Sequence, residues 1–308
     1  MERIIPHVTN ETARLRAVVL GLPDSLGPIP TLQETYDAKS YEAVSRGVFP
    51  SEADVRHEMQ CVLDVLDRYG VRTLRPAQLP DYNQVFARDV AFTIDDTLFI
   101  SNLIPDRERE TEAFASSIFP LIDPAHIESL PEAVHTEGGD VLLYDDILFV
   151  GAYFGDDYSS FKTARTNRYA IDFFRERFPH KRVVPIELRK HDREPAKSVL
   201  HLDCAFQPVS RDRALIYREG FLHEHDVALV EEIFGRDNLF SVTPEEAYYM
   251  STNVVSLSPD ALISDRHFTR LNAHLREAWG MIVEEVPYQE ISKMGGLLRC
   301  STMPLIRD

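Results

Sequence analysis

The chain has 308 residues, 44% of them hydrophobic and 10% aromatic, a composition typical of a folded globular protein rather than a disordered one. Its formal net charge of −17 disfavours nucleic acids and anionic membranes as partners and favours a small cationic ligand. No apolar run of about 18 residues and no export signal at the N terminus is found, so the sequence predicts a cytoplasmic protein.

The first quarter of the chain predicts two strands separated by an irregular segment and a helix. Residues 16–22 form a buried apolar run typical of a strand, and the glycines and prolines of residues 23–49 predict irregular structure. Residues 51–69 carry apolar side chains at helical spacing, with Ser51 as the N-cap and a glycine just after the end. A second strand follows at residues 71–75.

From Asp89 onward a unit recurs that consists of a strand, a short turn, a second strand, a helix and a third strand. Short turns rich in Asp, Pro and Ser between β-branched runs are hairpin signals. The predicted hairpin strands are residues 90–94 and 97–100, 141–144 and 147–150, 204–206 and 214–217, and 254–257 and 261–263. The predicted helices are residues 107–118, 163–178, 225–234 and 266–279, and further strands are predicted at 183–186 and 281–286.

A fifth unit is complete only if the two ends of the chain join. The run at residues 297–306 would pair with the strand at 16–22, which would also remove exposed sheet edges. The sequence therefore predicts an α/β fold, a five-bladed pseudo-symmetric α/β propeller of ββαβ modules closed by the two termini, as one catalytic domain over residues 1–308.

Polar residues recur at one position of this repeat, just before the first strand of each unit. The four residues there are Asp89, Asp140, Asp203 and Asn253, and the fifth unit has Cys300 at the equivalent place. Equivalent positions of a ring face a common centre, so we expect these side chains to converge. The alternative is that each Asp only stabilises a turn.

Cys300 is the candidate nucleophile. It follows Arg299 and a pair of glycines, and nearby positive charge stabilises a thiolate that can attack an electrophilic carbon. The alternative is a buried structural cysteine, because free cysteine is among the most buried residue types. The three cysteines of the chain show no spacing typical of a disulfide framework or a zinc site.

Two short motifs add an acid and a base. Glu137 precedes two glycines and Asp140, and the glycines allow the backbone to approach a ligand closely. In His201-Leu202-Asp203 the spacing of a strand would place imidazole and carboxylate on one side, and a histidine titrates near neutrality, so His201 is the candidate acid/base. His201 with Cys204 lacks a second Cys/His pair, so no metal site is predicted.

A pocket lined with carboxylates that holds a thiol and an imidazole suits a planar cationic electrophile. Carboxylates bind a guanidinium through two hydrogen bonds and hold its central carbon near the thiolate. A cysteine protease needs an oxyanion hole, and a ring of carboxylates would oppose the negative charge that develops there.

In these motifs the chain resembles the guanidino-group-modifying (pentein) superfamily, which includes arginine deiminase, dimethylarginine dimethylaminohydrolase and glycine amidinotransferase. The motifs that carry the resemblance are Phe86-Ala87-Arg88-Asp89, Glu137-Gly138-Gly139-Asp140, His201-Leu202-Asp203 and the terminal Gly-Gly-Leu-Leu-Arg-Cys300. The resemblance implies that Cys300 forms an S-alkylthiouronium intermediate, with His201 as general acid and then base, and Glu137 assisting. It also implies that Asp89 and Asp203 bind the guanidinium, with Asp140 beside them.

The resemblance also indicates Arg107 and Arg165 as candidates for binding a substrate carboxylate, since both lie in segments similar to those of arginine deiminases. On helices they would equally suit surface salt bridges. Gly295 stands where a deiminase would have a third arginine, and the chain is shorter than typical deiminases. Free arginine is therefore in doubt as the substrate, and residues 23–49 are a candidate substrate-covering loop.

Three functions remain open. The first is a cofactor-free hydrolase for a guanidino or ureido group of arginine or a related compound. The second is an amidinotransferase, in which an acceptor amine replaces water, and the third is a non-catalytic binding ring.

Overall fold

A computed structural model of the chain describes residues 3–308. The strands in these residues are β1 (Leu15–Leu20), β2 (Arg72–Leu74), β3 (Ala91–Ile94), β4 (Thr97–Ile100), β5 (Ile127–Ser129), β6 (Val141–Tyr144), β7 (Ile147–Ala152), β8 (Arg182–Glu187), β9 (Phe206–Pro208), β10 (Ala214–Ile216), β11 (Leu239–Ser241), β12 (Val255–Ser258), β13 (Ala261–Asp265), β14 (Ile282–Val286) and β15 (Thr302–Arg307).

The helices in the described residues are α1 (Ala38–Ser45), α2 (Glu52–Arg68), α3 (Glu110–Ser117), α4 (Arg168–Arg177), α5 (Glu224–Phe234), α6 (Pro244–Tyr248), α7 (Thr269–Glu277) and α8 (Gln289–Ser292). Within residues 3–308, none of these helices has the length and apolar character needed to cross a bilayer.

The strands form five sheets of three strands each, and every sheet has the same arrangement. The first strand pairs antiparallel with the second, as where Val141 of β6 lies opposite Val150 of β7. The third strand pairs parallel with the second, as where Ile147 of β7 lies opposite Arg182 of β8. A helix connects the second and third strands, because a parallel crossover requires a long connection. The predicted ββαβ module is therefore confirmed.

The fifth sheet joins the two ends of the chain. β15 pairs antiparallel with β1, from Leu15 opposite Arg307 to Leu20 opposite Thr302. β1 in turn pairs parallel with β2, with Ala17 opposite Arg72. The predicted pairing of the C-terminal run with the N-terminal strand is confirmed, and it fixes Cys300 against the N-terminal sheet.

α2 shows why this part of the sequence is helical. The Ser51 hydroxyl accepts the Asp54 backbone N–H at 3.3 Å, and the chain leaves the helix at Gly70, whose φ of +67° suits glycine. The apolar stripe that contains Val55 and Met59 is completely buried in the main core beside β1. Each such side chain contributes about 1.5–3 kcal/mol through removal from water.

Among the predicted boundaries that differ from the structure, the starts of two helices matter for the site. The helix predicted at 107–118 begins only at Glu110, after a 3₁₀ turn that contains Arg107. The helix predicted at 163–178 begins only at Arg168, because Asn167 caps it by accepting the Ala170 N–H at 3.1 Å. Arg107 and Arg165 therefore lie on turns rather than on helices.

Cys300 also lies on a turn, since β15 begins at Thr302 and the strand predicted from residue 297 was wrong. The hydroxyls of Ser301 and Thr302 donate to the carbonyls of Leu297 and Leu298 at 2.9 and 3.2 Å, which favours a helical turn over an extended strand.

Residues 23–49 contain α1, which the sequence analysis did not predict. The Asp37 carboxylate caps this helix by accepting the Ser40 N–H at 2.8 Å. The helix spans eight residues, and the glycines and prolines before it obscured its pattern.

Candidate active site

Five turns that precede the first strands of the sheets meet at one place. Asp89, Asp140 and Asp203 lie on 3₁₀ turns, Asn253 lies just before β12, and Cys300 lies just before β15. Hydrogen bonds connect neighbouring turns, for example from the Arg88 N–H to the Cys300 carbonyl at 3.0 Å. His201 and Asp203 belong to such a turn, so the strand spacing assumed for them was wrong.

Asn253 fixes the turn that carries Cys300. Its Oδ1 accepts the backbone N–H groups of Arg299 at 2.9 Å and Cys300 at 3.2 Å, while its Nδ2 donates to the Cys300 Sγ at 3.2 Å. A Cβ atom on Gly296 would lie 2.8 Å from the Cys300 Cβ, so glycine is required for this close packing. The sulfur is buried and held by a neutral amide, 3.9 Å from Asp203 Oδ2.

Arg299 does not contact the sulfur. Its guanidinium donates to the Asp203 Oδ2 at 2.9 Å and to both oxygens of Glu11 at 2.9 and 3.2 Å. Burial opposes ionisation of Glu11, but the charge of Arg299 outweighs burial and lowers the Glu11 pKa to about 2. The expected direct effect of Arg299 on the thiol is therefore corrected: Arg299 neutralises and orients the carboxylate beside the thiol.

His201 is held in its protonated form. Its Nε2 lies 2.9 Å from Glu137 Oε2 and its Nδ1 lies 3.7 Å from Asp89 Oδ1. Burial disfavours the imidazolium, but the charges of Asp89 and Asp140 and the hydrogen bond to Glu137 raise the pKa of His201 to about 9. The expectation of titration near neutrality was wrong, because it ignored these carboxylates.

Glu137 is held by an arginine and by the imidazole. Arg165 Nη1 donates to both Glu137 oxygens at 2.8 and 2.9 Å. Burial opposes ionisation, but the charges of Arg165 and His201 lower the pKa of Glu137. A Cβ atom on Gly139 would lie 2.6 Å from the His201 ring, so the glycine lets the imidazole lie against the backbone.

Arg107 binds Asp89 and a carboxylate that the sequence analysis did not identify. It donates to Asp89 Oδ2 at 2.6 Å and to both oxygens of Glu110 at 2.7 and 2.8 Å. Arg107 and Arg165 are both buried and ion-paired, so the surface salt-bridge alternative was wrong. Neither guanidinium is free for a substrate carboxylate in this arrangement.

Asp140 supports the imidazole indirectly. Its Oδ2 accepts the Thr166 hydroxyl at 2.6 Å and its Oδ1 accepts the Leu202 N–H at 2.9 Å, next to His201. Both oxygens are therefore engaged within the protein. By contrast, among residues 3–308 the Asp89 Oδ1 and the His201 Nδ1 are buried polar atoms without a hydrogen-bond partner.

The segment at residues 23–49 covers the cluster. The Tyr36 ring lies with its centroid 5.7 Å from the Arg107 guanidinium carbon and 5.8 Å from that of Arg165. Asp37 packs against Gly295, whose φ is +94° and where a Cβ atom would lie 2.3 Å from the Asp37 Cγ. The space beside Gly295 is therefore filled by a carboxylate.

Two groups of side chains in the described residues have ligand atoms within 4.8 Å of one another: Asp89, Glu137 and His201, and Asp203, Cys204 and Cys300. Arginines already lie on all three carboxylates, at 2.6 to 2.9 Å. A metal cation bound to either group would meet that positive charge at close range, so the groups fit an ion-paired reaction centre better than a metal centre.

The sequence is similar to one protein family and to several known proteins. Residues 51–307 match the family described as "N,N dimethylarginine dimethylhydrolase, eukaryotic". The YkgA protein of Bacillus subtilis (strain 168) is 33% identical over 300 residues, which cover 96% of this chain and 94% of YkgA. An arginine deiminase of Bacillus cytotoxicus is 24% identical over 273 residues, which cover 74% of this chain and only 62% of the deiminase.

Solved structures show the same fold at low identity. AgrE in complex with ornithine and NAD+ has a TM-score of 0.77 and 18% identity, and the match covers 95% of this chain but 39% of AgrE. The N-terminal domain of ArgZ covalently bound to a reaction intermediate has a TM-score of 0.75 and 18% identity, covering 94% of this chain and 98% of that domain. The amidinotransferase SxtG of Microseira wollei has a TM-score of 0.75 and 14% identity, covering 98% of this chain and 97% of SxtG.

With most of its length matched by one family and its fold shared with amidinotransferases and arginine-metabolising enzymes, this chain belongs to the dimethylarginine dimethylhydrolase family of guanidino-modifying enzymes.

Proposed function

We propose that the protein is a thiol-dependent hydrolase that acts on a guanidino or ureido group of arginine or a related compound. The observation that carries the proposal is the convergence of the Cys300 thiol, the His201–Glu137 pair and the carboxylates of Asp89 and Asp203 in one buried cluster. A binding ring has no need of this nucleophile and acid together, which argues against a non-catalytic function.

In the first step the substrate guanidinium binds between Asp89 and Asp203. Asp89 Oδ1 is free to accept a hydrogen bond, and Asp203 lies beside the sulfur. The Cys300 thiolate attacks the central carbon and forms a C–S bond. The leaving nitrogen takes a proton from the His201 imidazolium as the C–N bond breaks, which releases ammonia or an amine and leaves an S-alkylthiouronium on Cys300.

In the second step the neutral imidazole acts as a base. It removes a proton from water as the water oxygen attacks the thiouronium carbon. The C–S bond then breaks to restore the thiolate, and the hydroxyl on the central carbon loses its remaining proton to solvent as the ureido product is released. Glu137 stabilises each imidazolium that forms, because its carboxylate accepts from Nε2 and stays ionised beside Arg165. The roles of Arg107, Arg165 and Arg299 are to hold the three carboxylates in place.

Amidinotransfer is the second candidate, because SxtG has the same fold. Both reactions share the first step and differ in whether water or an amine attacks the intermediate. The cluster is enclosed beneath residues 23–49, with both His201 and Cys300 buried, and water reaches such a site more readily than an amine. Together with the family match, this favours hydrolysis.

The proposed site also requires that the five sheets be arranged around one axis. We propose that the five sheets close into a five-bladed α/β propeller, with the turns before β3, β6, β9, β12 and β15 at its axis, and that residues 1–308 act as one catalytic domain. Hydrogen bonds between these turns and the β15–β1 pairing support this arrangement.

Product analysis tests the function. The protein would be incubated with arginine, methylated arginines, agmatine or citrulline, each with and without glycine or lysine, and the products identified by mass spectrometry. Ammonia, methylamine or ornithine formed without an acceptor supports the hydrolase and names the substrate class. Turnover only with an added amine would instead establish an amidinotransferase, and no turnover with any of them would favour a binding ring.

A further inference from the structure

A second cysteine lies beside the candidate nucleophile and has no part in the proposed reaction. The sulfur atoms of Cys204 and Cys300 lie within 4.8 Å of each other, and both flank the Asp203 carboxylate. The Cys204 thiol donates to Asp203 Oδ1 at 3.5 Å, while the Cys300 Sγ lies 3.9 Å from Oδ2. Two buried thiols around one carboxylate form a potential dithiol pair.

The surroundings of Cys204 give a small oxidant room to enter. Cys204 lines a cavity of about 50 Å³ whose walls include Asp37, Ser198, Tyr217 and Gly295. A single water needs roughly 10–15 Å³ measured in this way, so the cavity is large enough for a hydrogen peroxide molecule. Because the Cys204 sulfur lies within 4.8 Å of the Cys300 sulfur, the cavity lies on the thiol side of the site.

The two thiols differ in their surroundings. Contact with Cys300, burial and the charge of Asp203 raise the pKa of the Cys204 thiol, so Cys204 stays protonated. The Cys300 Sγ accepts a hydrogen bond from Asn253 Nδ2 at 3.2 Å. Cys300 is the nucleophile of the proposed reaction, so we expect an oxidant to react there first, since the thiolate and not the thiol is the reactive form.

We propose that Cys204 and Cys300 form a reversible disulfide under peroxide, which removes the nucleophile and switches the enzyme off. Hydrogen peroxide transfers an oxygen to the Cys300 thiolate, giving a sulfenic acid and hydroxide. The Cys204 sulfur then attacks the Cys300 sulfur, the S–O bond breaks, and the departing hydroxide takes the Cys204 proton as water. Overall one thiolate, one thiol and one peroxide give one disulfide, one water and one hydroxide.

Bond formation requires the two sulfurs to approach to about 2.05 Å, which side-chain rotation on two short turns can supply. Neither cysteine lies within a regular strand or α-helix, so no ladder of backbone hydrogen bonds must break. The disulfide also protects Cys300, because a sulfenic acid without a neighbouring thiol is oxidised further to irreversible sulfinic acid.

Peptide mapping tests the disulfide without any substrate. Trypsin cleavage places Cys204 in the peptide 198–211, Cys300 in the peptide 300–307 and Cys61 in the peptide 57–68. After peroxide treatment and alkylation without reductant, we expect a species that joins peptides 198–211 and 300–307 and that dithiothreitol separates. Free Cys204 together with sulfinic or sulfonic acid at Cys300, or two unmodified thiols, would overturn the proposal.

Three variants sharpen the test. Cys61→Ser removes a cysteine on α2 and should keep the joined peptides, whereas Cys204→Ser and Cys204→Ala should lose them. In the activity assay, peroxide should lower wild-type turnover at least about tenfold, and dithiothreitol should restore it, whereas both Cys204 variants should stay inactive after reduction. Equal recovery in the Cys204 variants would contradict the inference.

This inference rests on the proposed catalytic role of Cys300, but the two fail separately. Turnover of a guanidino compound by a protein that forms no disulfide would leave the function intact and refute only the switch. Joined peptides in a protein that turns over none of the candidate substrates would support the dithiol pair and refute only the function.

Discussion

The site has two sides that use charge differently. On the imidazole side, His201 lies among Glu137, Asp89 and Asp140, so negative charge surrounds a group that must hold a proton. On the thiol side, Cys300 is held by the neutral amide of Asn253, and Arg299 neutralises the nearest carboxylate. Carboxylates that raise the pKa of an acid would also raise that of a nucleophile. Because three carboxylates surround His201, whereas the carboxylate nearest Cys300 is neutralised by Arg299, the imidazole and the thiol can work at the same pH.

The two sides also differ in what they leave unpaired. Asp89 Oδ1 and His201 Nδ1 have no hydrogen-bond partner within the described residues, although both are buried. On the thiol side, Asp203 and Asn253 each make several bonds to neighbouring groups. The imidazole side is therefore prepared for substrate and proton transfer, and the thiol side for precise placement of one sulfur atom.

The largest effect is expected from removing the thiol. Cys300→Ser replaces the nucleophile with a hydroxyl that no base activates, so turnover should fall by at least roughly 10⁴-fold. Binding of the substrate identified by product analysis, measured by calorimetry, should persist because Asp89 and Asp203 remain. Cys61→Ser is the matched control and should keep wild-type turnover. Full turnover in Cys300→Ser would remove the nucleophile assignment.

His201→Ala breaks the imidazole side while leaving the thiol in place. We expect turnover to fall by about 10³ to 10⁴-fold, since proton transfer to the leaving group and from water is lost. Steady-state kinetics with the matched control His223→Ala, which alters a partly exposed histidine paired with Glu187, would check the result. Turnover within a few-fold of wild type would show that another group transfers the proton.

Arg299→Met removes the positive charge that neutralises the carboxylates on the thiol side. It leaves Glu11 and Asp203 buried without their partner, so the protein should lose about 3–5 kcal/mol of unfolding free energy. Denaturant unfolding would measure the loss. Arg56→Met, which changes an arginine on the exposed face of α2, should leave the unfolding midpoint nearly unchanged. Equal midpoints for both variants would show that the buried network contributes little.

The smallest expected effect is a shift in the pH profile. The His201 pKa is raised to about 9, so wild-type turnover should hold up to about pH 9 and then fall about tenfold per unit as the imidazolium loses its proton. Glu137→Gln removes a negative charge beside His201, so turnover should begin to fall at a lower pH than in the wild type. If turnover fell at the same pH in both proteins, the fall would be due to the titration of another group.

The same shift gives a stability dependence with a defined sign. Because the folded pKa of His201 lies above its ordinary value of 6.5, its contribution to stability is fully present below pH 6.5 and is lost as pH rises through about 9. Glu11 has the opposite sign: its pKa is lowered to about 2, so its contribution is present above pH 4.5 and is lost as pH falls towards 2. Thermal unfolding of the wild type and of Glu11→Gln, measured between about pH 2 and 5, would show how much of the loss of stability in acid is due to Glu11.

The sequence predicted the modules well because their signals are local. Hairpin turns such as Asp95-Asp96 and the capped helix after Ser51 depend on residues close in the chain. The pairing of β15 with β1 was predicted only because four copies of the unit required a fifth. α1 was missed because its capping signal at Asp37 follows a stretch of glycines and prolines.

The site was only partly predictable, for the opposite reason. The polar residues before each first strand stood out by their recurrence, but their partners did not. Glu11 pairs with Arg299 across 288 positions of sequence, and Tyr36 covers Arg165 from a segment with no motif. The raised pKa of His201 likewise depends on Asp89 and Asp140, whose distances from the imidazole only the fold determines.

The most direct test of the covalent mechanism is to trap the intermediate on Cys300. Wild-type protein would be mixed with the substrate identified by product analysis, quenched in acid within milliseconds to seconds, and weighed intact and as tryptic peptides. The covalent mechanism predicts an amidino adduct on the peptide 300–307 that accumulates and decays at rates matching turnover, and that is absent in Cys300→Ser. Turnover with no adduct on Cys300 at any time, together with activity in Cys300→Ser, would contradict the covalent mechanism.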